Sequence, residues 1–205
     1  MKKLLALLIA AAFSAPALAA DAKPAAKADL AKGEATATQI CGACHSFDGT
    51  RGLPANPILA GQFPEYLVKQ LQDFKSGQRV NAIMQGFAAI LSDEDMLNVA
   101  AFYASKSAKP GDAKDKDTLL LGERIYRGGI ADRQIAACAG CHSPNGAGIP
   151  KQYPRLAGQH GEYAELQLSA FRSGERKNSQ PMLDVAAKMN DRDIKAVADY
   201  MAGMH

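Results

Sequence analysis

The chain has 205 residues, of which 47% are hydrophobic and 22% charged, and its formal net charge is +3. Its length allows one or two domains, and its composition is that of a globular protein. The small net charge, with no basic tract interleaved with aromatic residues, excludes the electrostatic footprint of a nucleic-acid-binding protein.

Residues 1–19 have the pattern of a secretory signal peptide. Two lysines precede an apolar run over residues 4–13, and the small residues at 17–19 form a cleavage site. The apolar run is too short to span a bilayer, so a retained membrane anchor is the weaker alternative. Residues 20–28, rich in Ala, Lys and Pro, predict a loose leader at the start of the mature chain.

A first helix is predicted over residues 30–44, and it ends in the pentapeptide Cys-x-x-Cys-His at 41–45, which recurs at 138–142. This pentapeptide is the attachment signature of c-type haem. Two thiols one helical turn apart can each bond to a haem vinyl group, and the adjacent histidine is then held over the iron as an axial ligand. The sequence therefore predicts two covalently bound haem c groups, attached at Cys41, Cys44, Cys138 and Cys141 and ligated by His45 and His142.

Two other uses of paired cysteines are weaker interpretations. A zinc ribbon brings two Cys-x-x-Cys knuckles close together, whereas these lie 97 residues apart with a histidine fixed to each. Disulfide motifs of the thioredoxin kind would not require the trailing histidine.

The two halves of the chain are a tandem duplication. Residues 57–62, Pro-Ile-Leu-Ala-Gly-Gln, match residues 154–159, Pro-Arg-Leu-Ala-Gly-Gln, at the same offset of 97 as the cysteine motifs. Arg79 and Arg176 are among the further matches at that offset. For these two arginines a contact with haem propionates and a solvated charge at a helix end are equally good interpretations.

The duplication predicts two domains, at residues 20–105 and 118–205. Residues 106–117 carry almost no large apolar side chain and predict a linker. No convincing alternating strands are present in either half, so the predicted fold class is all-α, with a small helical bundle around each haem.

Local signals bound the later helices of each half. Pro64 suits the first position of a helix that stops at Gly77. Ser92 with an Asp three residues later is an Asp version of the capping box, and Asn190 begins the matching helix of the second half. The first helix of the second half is expected to start near Thr118.

Met84 and Met182 are the methionines predicted to complete the coordination of the two irons. Histidine–methionine ligation is the usual electron-transfer arrangement. Met96 and Met189 have a structural use, because each can form a hydrophobic staple around a helix cap. Met201 and Met204, near the C-terminus, have no matching methionine in the first half. Met84 and Met182 stand in predicted irregular loops, 39 and 40 residues after their histidines, and a loop can bring sulfur to the opposite face of the iron.

With these motifs the sequence resembles the cytochrome c4 family of di-haem class I cytochromes c, over essentially the whole mature chain. The resemblance implies two tandem class I cytochrome c domains whose haems lie close together. It also implies that Pro57 and Pro154 offer their carbonyl oxygens to the ligand histidines, which fixes the imidazole and raises its basicity. Together with the signal peptide it implies a periplasmic protein, because haem c is attached outside the cytoplasm in bacteria.

Iron with both axial positions filled has no open site for a substrate, so the sequence favours an electron carrier over an enzyme. The resemblance implies transfer from a quinol-oxidising cytochrome bc complex to a terminal oxidase, with no small-molecule substrate and no nucleic acid as partner. Peripheral association with the membrane stays open. Two alternatives also stay open: a di-haem subunit of a periplasmic dehydrogenase, and a di-haem peroxidase, which would need one vacant or displaceable axial position.

Overall fold

The computed structural model describes residues 27–205, so the signal peptide predicted for residues 1–19 lies outside the described residues. Within 27–205 the chain is helical, with isolated bridges and no strand, which confirms the all-α prediction. No helix in this range is long and apolar enough to cross a membrane.

The described residues form ten α-helices, five in each half. The first half contains α1 to α5, at Leu30–Thr36, Gly42–His45, Pro64–Ser76, Ala82–Ala89 and Asp93–Ala104. The second half contains α6 to α10, at Lys116–Gly128, Ala139–His142, Gly161–Ser173, Gln180–Ala186 and Asp191–Ala202. In each half the first helix packs against the last, and the middle helix packs against the last as well.

The two halves reach their Cys-x-x-Cys-His sequences by different routes. In the first half a π-helical turn at Ala37–Cys41 joins α1 to α2, so the predicted single helix is continuous but locally widened. In the second half α6 ends at Gly128, and a 3₁₀ turn at Ala131–Arg133 precedes α7. Helix α6 begins two residues before the expected Thr118, because the Asp115 carboxylate caps it by accepting the N–H groups of residues 117 and 118.

The predicted helix boundaries of the later elements are confirmed. Helix α3 has Pro64 at its first position and is followed by Gly77 in the left-handed conformation, at φ 77°. Ser92 Oγ accepts the N–H of Asp95, while the Asp95 carboxylate accepts the N–H of Ser92. Asn190 begins α10 with the same pair of bonds.

The hydrophobic staples are also present. Leu91 and Met96 belong to one apolar cluster and are 4% and 0% exposed. Met189 and Ile194 share the core of the second half, at 4% and 1% exposed. Both staple methionines are therefore core residues.

The prediction that Met84 and Met182 stand in irregular loops is wrong, because each lies on a short helix. The Asn81 side chain caps α4 by accepting the N–H of Met84 at 2.9 Å, which stabilises a helix where a loop was expected. In α9 a proline occupies the first turn, a position where its missing N–H costs no hydrogen bond.

Candidate haem centres

The four cysteines are unlinked thiols placed one helical turn apart in each pair. Cys141 is exposed and the other three are half-buried. Burial raises the pKa of the Cys41 thiol to about 11, against a smaller opposite effect of the Tyr103 hydroxyl, and burial raises the pKa of Cys138 to about 11 as well. These two thiols are neutral at physiological pH.

The raised pKa of Cys41 and of Cys138 disfavours the interpretation of the cysteine pairs as redox-active dithiols. Redox-active dithiols depend on a lowered thiol pKa. Within residues 27–205 no group of three or more Cys, His, Asp or Glu side chains converges on a point where it could hold a metal ion. The thiols are instead suited to addition across a haem vinyl group, which keeps sulfur uncharged.

The two histidines of the motifs are buried and oriented in the same way. His45 is 8% exposed and His142 is 6% exposed. His45 Nδ1 lies 3.0 Å from the carbonyl oxygen of Pro57, and His142 Nδ1 lies 2.9 Å from that of Pro154. A carbonyl oxygen only accepts, so Nδ1 carries the proton in both rings and Nε2 has a free lone pair. The proline contacts implied by the resemblance are confirmed.

Burial sets the charge of both rings. It lowers the pKa of His45 and of His142, and the proline carbonyl in each case opposes this effect without cancelling it. The imidazoles are therefore neutral at physiological pH, which is the form that binds a metal. A neutral ring with Nδ1–H engaged and Nε2 free matches the requirements of an axial haem ligand.

A strained serine follows each histidine. Ser46 has φ 63° and Ser143 has φ 69°, values that cost a non-glycine residue about 1–3 kcal/mol each. Each serine carbonyl accepts the N–H of the glycine three residues later, so the chain reverses directly after the histidine. Sequence reasoning missed this feature, although the matched serines were visible in the repeat.

Met84 and Met182 are half-buried. Met84 borders the same apolar cluster as Ile40, the residue before Cys41. Met182 and Cys138 border one cluster in the second half. Met182 thus shares a cluster with a cysteine of its haem motif. Met84 shares one with the residue before its motif, while Cys41 borders a different cluster.

Arg79 and Arg176 are buried between the two halves, so the interpretation as solvated charges is wrong. Their main chains form an antiparallel bridge, and each guanidinium donates to a glutamine of its own half and to side chains of the other half. The acceptors are Gln70, Tyr163 and Gln167 for Arg79, and Gln167, Tyr66, Gln70 and Asn178 for Arg176. Such reciprocal contacts are typical of a two-fold-related pair. The interpretation that they meet haem propionates stays a prediction.

Paired thiols, a neutral imidazole with Nε2 free and a half-buried methionine thioether form the donor set of haem c, and it occurs twice. Two such sites on two helical units define a di-haem cytochrome c.

Comparison with known proteins agrees with this class. The family described as cytochrome c matches residues 130–205, and the family described as cytochrome c oxidase, cbb3-type, subunit III matches residues 28–102. The cytochrome c4 of Pseudomonas aeruginosa is 42% identical over 181 residues, which cover 86% of this chain and 89% of that protein. The chain belongs to the cytochrome c4 family.

Two further comparisons bear on structure and function. The crystal structure of reduced recombinant cytochrome c4 from Pseudomonas stutzeri has a TM-score of 0.83 at 40% identity, covering 87% of this chain and all of that one. A thiosulfate dehydrogenase electron acceptor of Stutzerimonas stutzeri strain A1501 is 40% identical over 173 residues, covering 82% of this chain and 80% of that protein. The chain is therefore a di-haem electron carrier, not an enzyme, with two covalently bound haem c groups attached at the cysteines of its two motifs.

Proposed function

We propose that His45 and Met84 ligate the iron of an N-terminal domain at residues 20–105, and that His142 and Met182 ligate the iron of a C-terminal domain at 118–205. Residues 106–117 link the two. The observation that carries this proposal is the matched pair of buried, neutral imidazoles whose Nδ1–H donates to a proline carbonyl. Met182 borders the same cluster as Cys138, and Met84 borders the same cluster as Ile40, the residue before Cys41, which supports the distal assignment.

The bound haem supplies one-electron chemistry between ferric and ferrous iron. The chain's own residues set the potential and the access to each iron. The proline bond raises the basicity of the imidazole and so favours the ferric state, whereas a methionine sulfur raises the potential. With both axial positions taken by side chains, no position remains for peroxide, and the peroxidase alternative loses its support.

The proposed route runs in the periplasm, from a quinol-oxidising cytochrome bc complex to a terminal oxidase. Membership of the cytochrome c4 family and the signal-peptide pattern of residues 1–19 support this route. Its partners are redox proteins, and any association with the membrane would be peripheral.

A second candidate is favoured by one specific comparison. The relative named a thiosulfate dehydrogenase electron acceptor is nearly as similar to this chain as the cytochrome c4 relatives are. The chain would then accept electrons from a periplasmic dehydrogenase instead of a cytochrome bc complex.

Stopped-flow reduction of the purified ferric protein separates the two candidates. In one experiment the donor is a cytochrome bc complex with quinol, and in the other it is a thiosulfate dehydrogenase with thiosulfate. We expect faster reduction by the bc complex, followed by rapid oxidation by a terminal oxidase. Reduction by the dehydrogenase alone would replace the first candidate with the second.

A further inference from the structure

The glutamine that ends each Leu-Ala-Gly-Gln segment reaches into the other half of the molecule. Gln62 Nε2 donates to the carbonyl oxygen of Arg155 at 2.9 Å, and Gln62 Oε1 accepts the Arg155 N–H at 2.9 Å. Gln159 makes the reciprocal pair with Ile58, donating to its carbonyl oxygen at 3.1 Å and accepting its N–H at 2.8 Å. We call these two contacts the glutamine clamps.

Each clamp holds the residue that directly follows a histidine-binding proline. The carbonyl group of Pro154 and the N–H of Arg155 belong to one planar peptide unit. The carbonyl end of that unit accepts the His142 Nδ1–H, and its N–H end donates to Gln62 Oε1. In the same way, the peptide unit between Pro57 and Ile58 connects His45 to Gln159 of the other half.

Hydrogen bonds in such a chain strengthen one another. An acceptor on the N–H end of a peptide polarises its carbonyl and makes that oxygen a better acceptor. The clamp also fixes the orientation of the peptide plane, and so the direction in which the carbonyl meets the ring. Gln62 therefore acts on the imidazole of His142 through a single peptide unit, and Gln159 acts on His45.

Each clamp glutamine is also held within its own half by the N–H of the residue that follows it. Gln62 is 7% exposed, and its Oε1 also accepts the N–H of Phe63, the residue that caps α3. Gln159 Oε1 likewise accepts the N–H of His160, which caps α8. The glycine before each glutamine has a left-handed φ, 68° at Gly61 and 70° at Gly158, so the turn that leads into the clamp requires glycine.

We propose that each half sets the strength of the histidine–proline hydrogen bond in the other half. Gln62 acts on the bond of His142, and Gln159 acts on the bond of His45. The glutamines are positioning residues, and the proposal rests on the axial ligation by these histidines proposed above. A loosened clamp weakens the bond from the imidazole to the proline carbonyl. The ring then becomes less basic, stabilises ferric iron less, and raises the reduction potential of the haem in the other half.

The test is Gln62→Met in the full-length di-haem protein, which removes both clamp bonds and keeps the length of the side chain. In an NMR-monitored redox titration we expect the potential of the C-terminal haem to rise more than that of the N-terminal haem. The Nδ1–H of His142 should exchange with solvent faster than in the parent, and that of His45 should be unchanged. Gln159→Met should give the mirror image.

Tyr163→Phe is the matched control, because it removes the 3.0 Å bond from Arg79 across the same interface without touching either proline segment. It should leave both histidine exchange rates unchanged. If Gln62→Met does not fold, Gln62→Asn takes its place, because its side chain keeps the amide but is too short to form the clamp. The same rise in the potential of the C-terminal haem is expected. The proposal would be overturned if the haem potential and the histidine exchange rate changed only in the half that carries the substitution. It would also be overturned if they changed equally in both halves or did not change.

The parent spectrum separates this proposal from the one it rests on. Absence of the sulfur-to-iron band in the parent would refute the proposed methionine ligation, while the histidine bonds on which the clamps act would still be tested by the two exchange rates. If the parent has the band but the variants show no change of potential in the opposite half, only the proposed effect of the glutamine clamps is refuted.

Discussion

The two halves of the molecule agree closely at the haem motifs. The histidine–proline distances are 3.0 and 2.9 Å, and the strained serines have φ 63° and 69°. The approach to each motif is less constrained, since a π turn serves in one half and a 3₁₀ turn in the other. The geometry that orients the imidazole is thus the part that both halves share.

Around the methionine helices the two surfaces differ. The N-terminal half exposes Val80, Ile83 and Ile90, at 56%, 69% and 69%. The matched positions of the C-terminal half are Lys177, Pro181 and Lys188. The comparison shows similar internal chemistry behind two different surfaces, so the halves should behave alike as redox centres and differently towards partners.

Removing one cysteine pair should have the largest effect and tests whether the halves hold their haems independently. In Cys41→Ser/Cys44→Ser the N-terminal half has no thiol left to form a thioether, so the intact mass should fall by one haem. Cys138→Ser/Cys141→Ser should lose the other haem. A double variant that keeps two covalent haems, or a parent whose pigment is stripped by acid acetone, would contradict the account.

Substituting the proposed methionine ligands should affect the two halves equally. Met84→Ala and Met182→Ala should each remove about half of the sulfur-to-iron absorption of the ferric protein and lower one potential. Met96→Leu and Met189→Leu change core residues of the staples and should leave the band intact. The reverse pattern would show that the ligands have been assigned to the wrong methionines.

A close helix crossing in each half should be equally intolerant of one added methyl group. A Cβ at Gly33 would lie 2.2 Å from the carbonyl oxygen of Asn98, and one at Gly122 would lie 2.2 Å from that of Ala196. Gly33→Ala and Gly122→Ala should each lower the free energy of unfolding by about 1–3 kcal/mol, measured in urea. Gly128, also in α6, has no atom within 4 Å of an added Cβ, so Gly128→Ala is the control and should not destabilise. Parent-like stability of both crossing variants would argue against the packing described.

The smallest expected effect concerns charge, which differs between the halves. Residues 20–105 carry seven basic and nine acidic side chains, a net charge of −2, and residues 118–205 carry eleven and nine, a net charge of +2. Such a dipole orients partners during encounter more than it sets final affinity. We expect the C-terminal half to face the more acidic partner.

Four exposed basic residues of the C-terminal half suit this test, whereas Arg176 does not because it is buried between the halves. They are Lys177, Lys188, Arg192 and Lys195. Replacing them with glutamine should slow electron transfer with an acidic partner at low salt and flatten its dependence on ionic strength. Stopped-flow rates with the same salt dependence in variant and parent would refute this orientation.

Features with a local signal were predicted well from the sequence. The capping box at Ser92 and the start of α3 at Pro64 depend on residues within one helical turn, and both are present as expected. The cysteine motifs also carry their chemistry within five residues. The helix around Met84 was missed because its cap is a single Asn81 side chain, a weak signal beside the glycine within α4.

Features that depend on how the halves face each other were not predictable in the same way. Arg79 and Gln62 make their defining contacts with residues 84 to 93 positions later in the chain. The repeat contained a signal, since the same glutamine and the same arginine recur at matched positions of the two halves. The sequence does not show that these residues contact the other half, because that depends on the two-fold arrangement of the halves.

The most direct test of the central claim is a spectral redox titration of the purified full-length protein, repeated under carbon monoxide. The account predicts two low-spin haems that titrate as two one-electron centres, with the ferrous form of neither binding carbon monoxide because histidine and methionine fill both axial positions. A high-spin haem, or one that binds carbon monoxide when reduced, would contradict it and reopen a catalytic role.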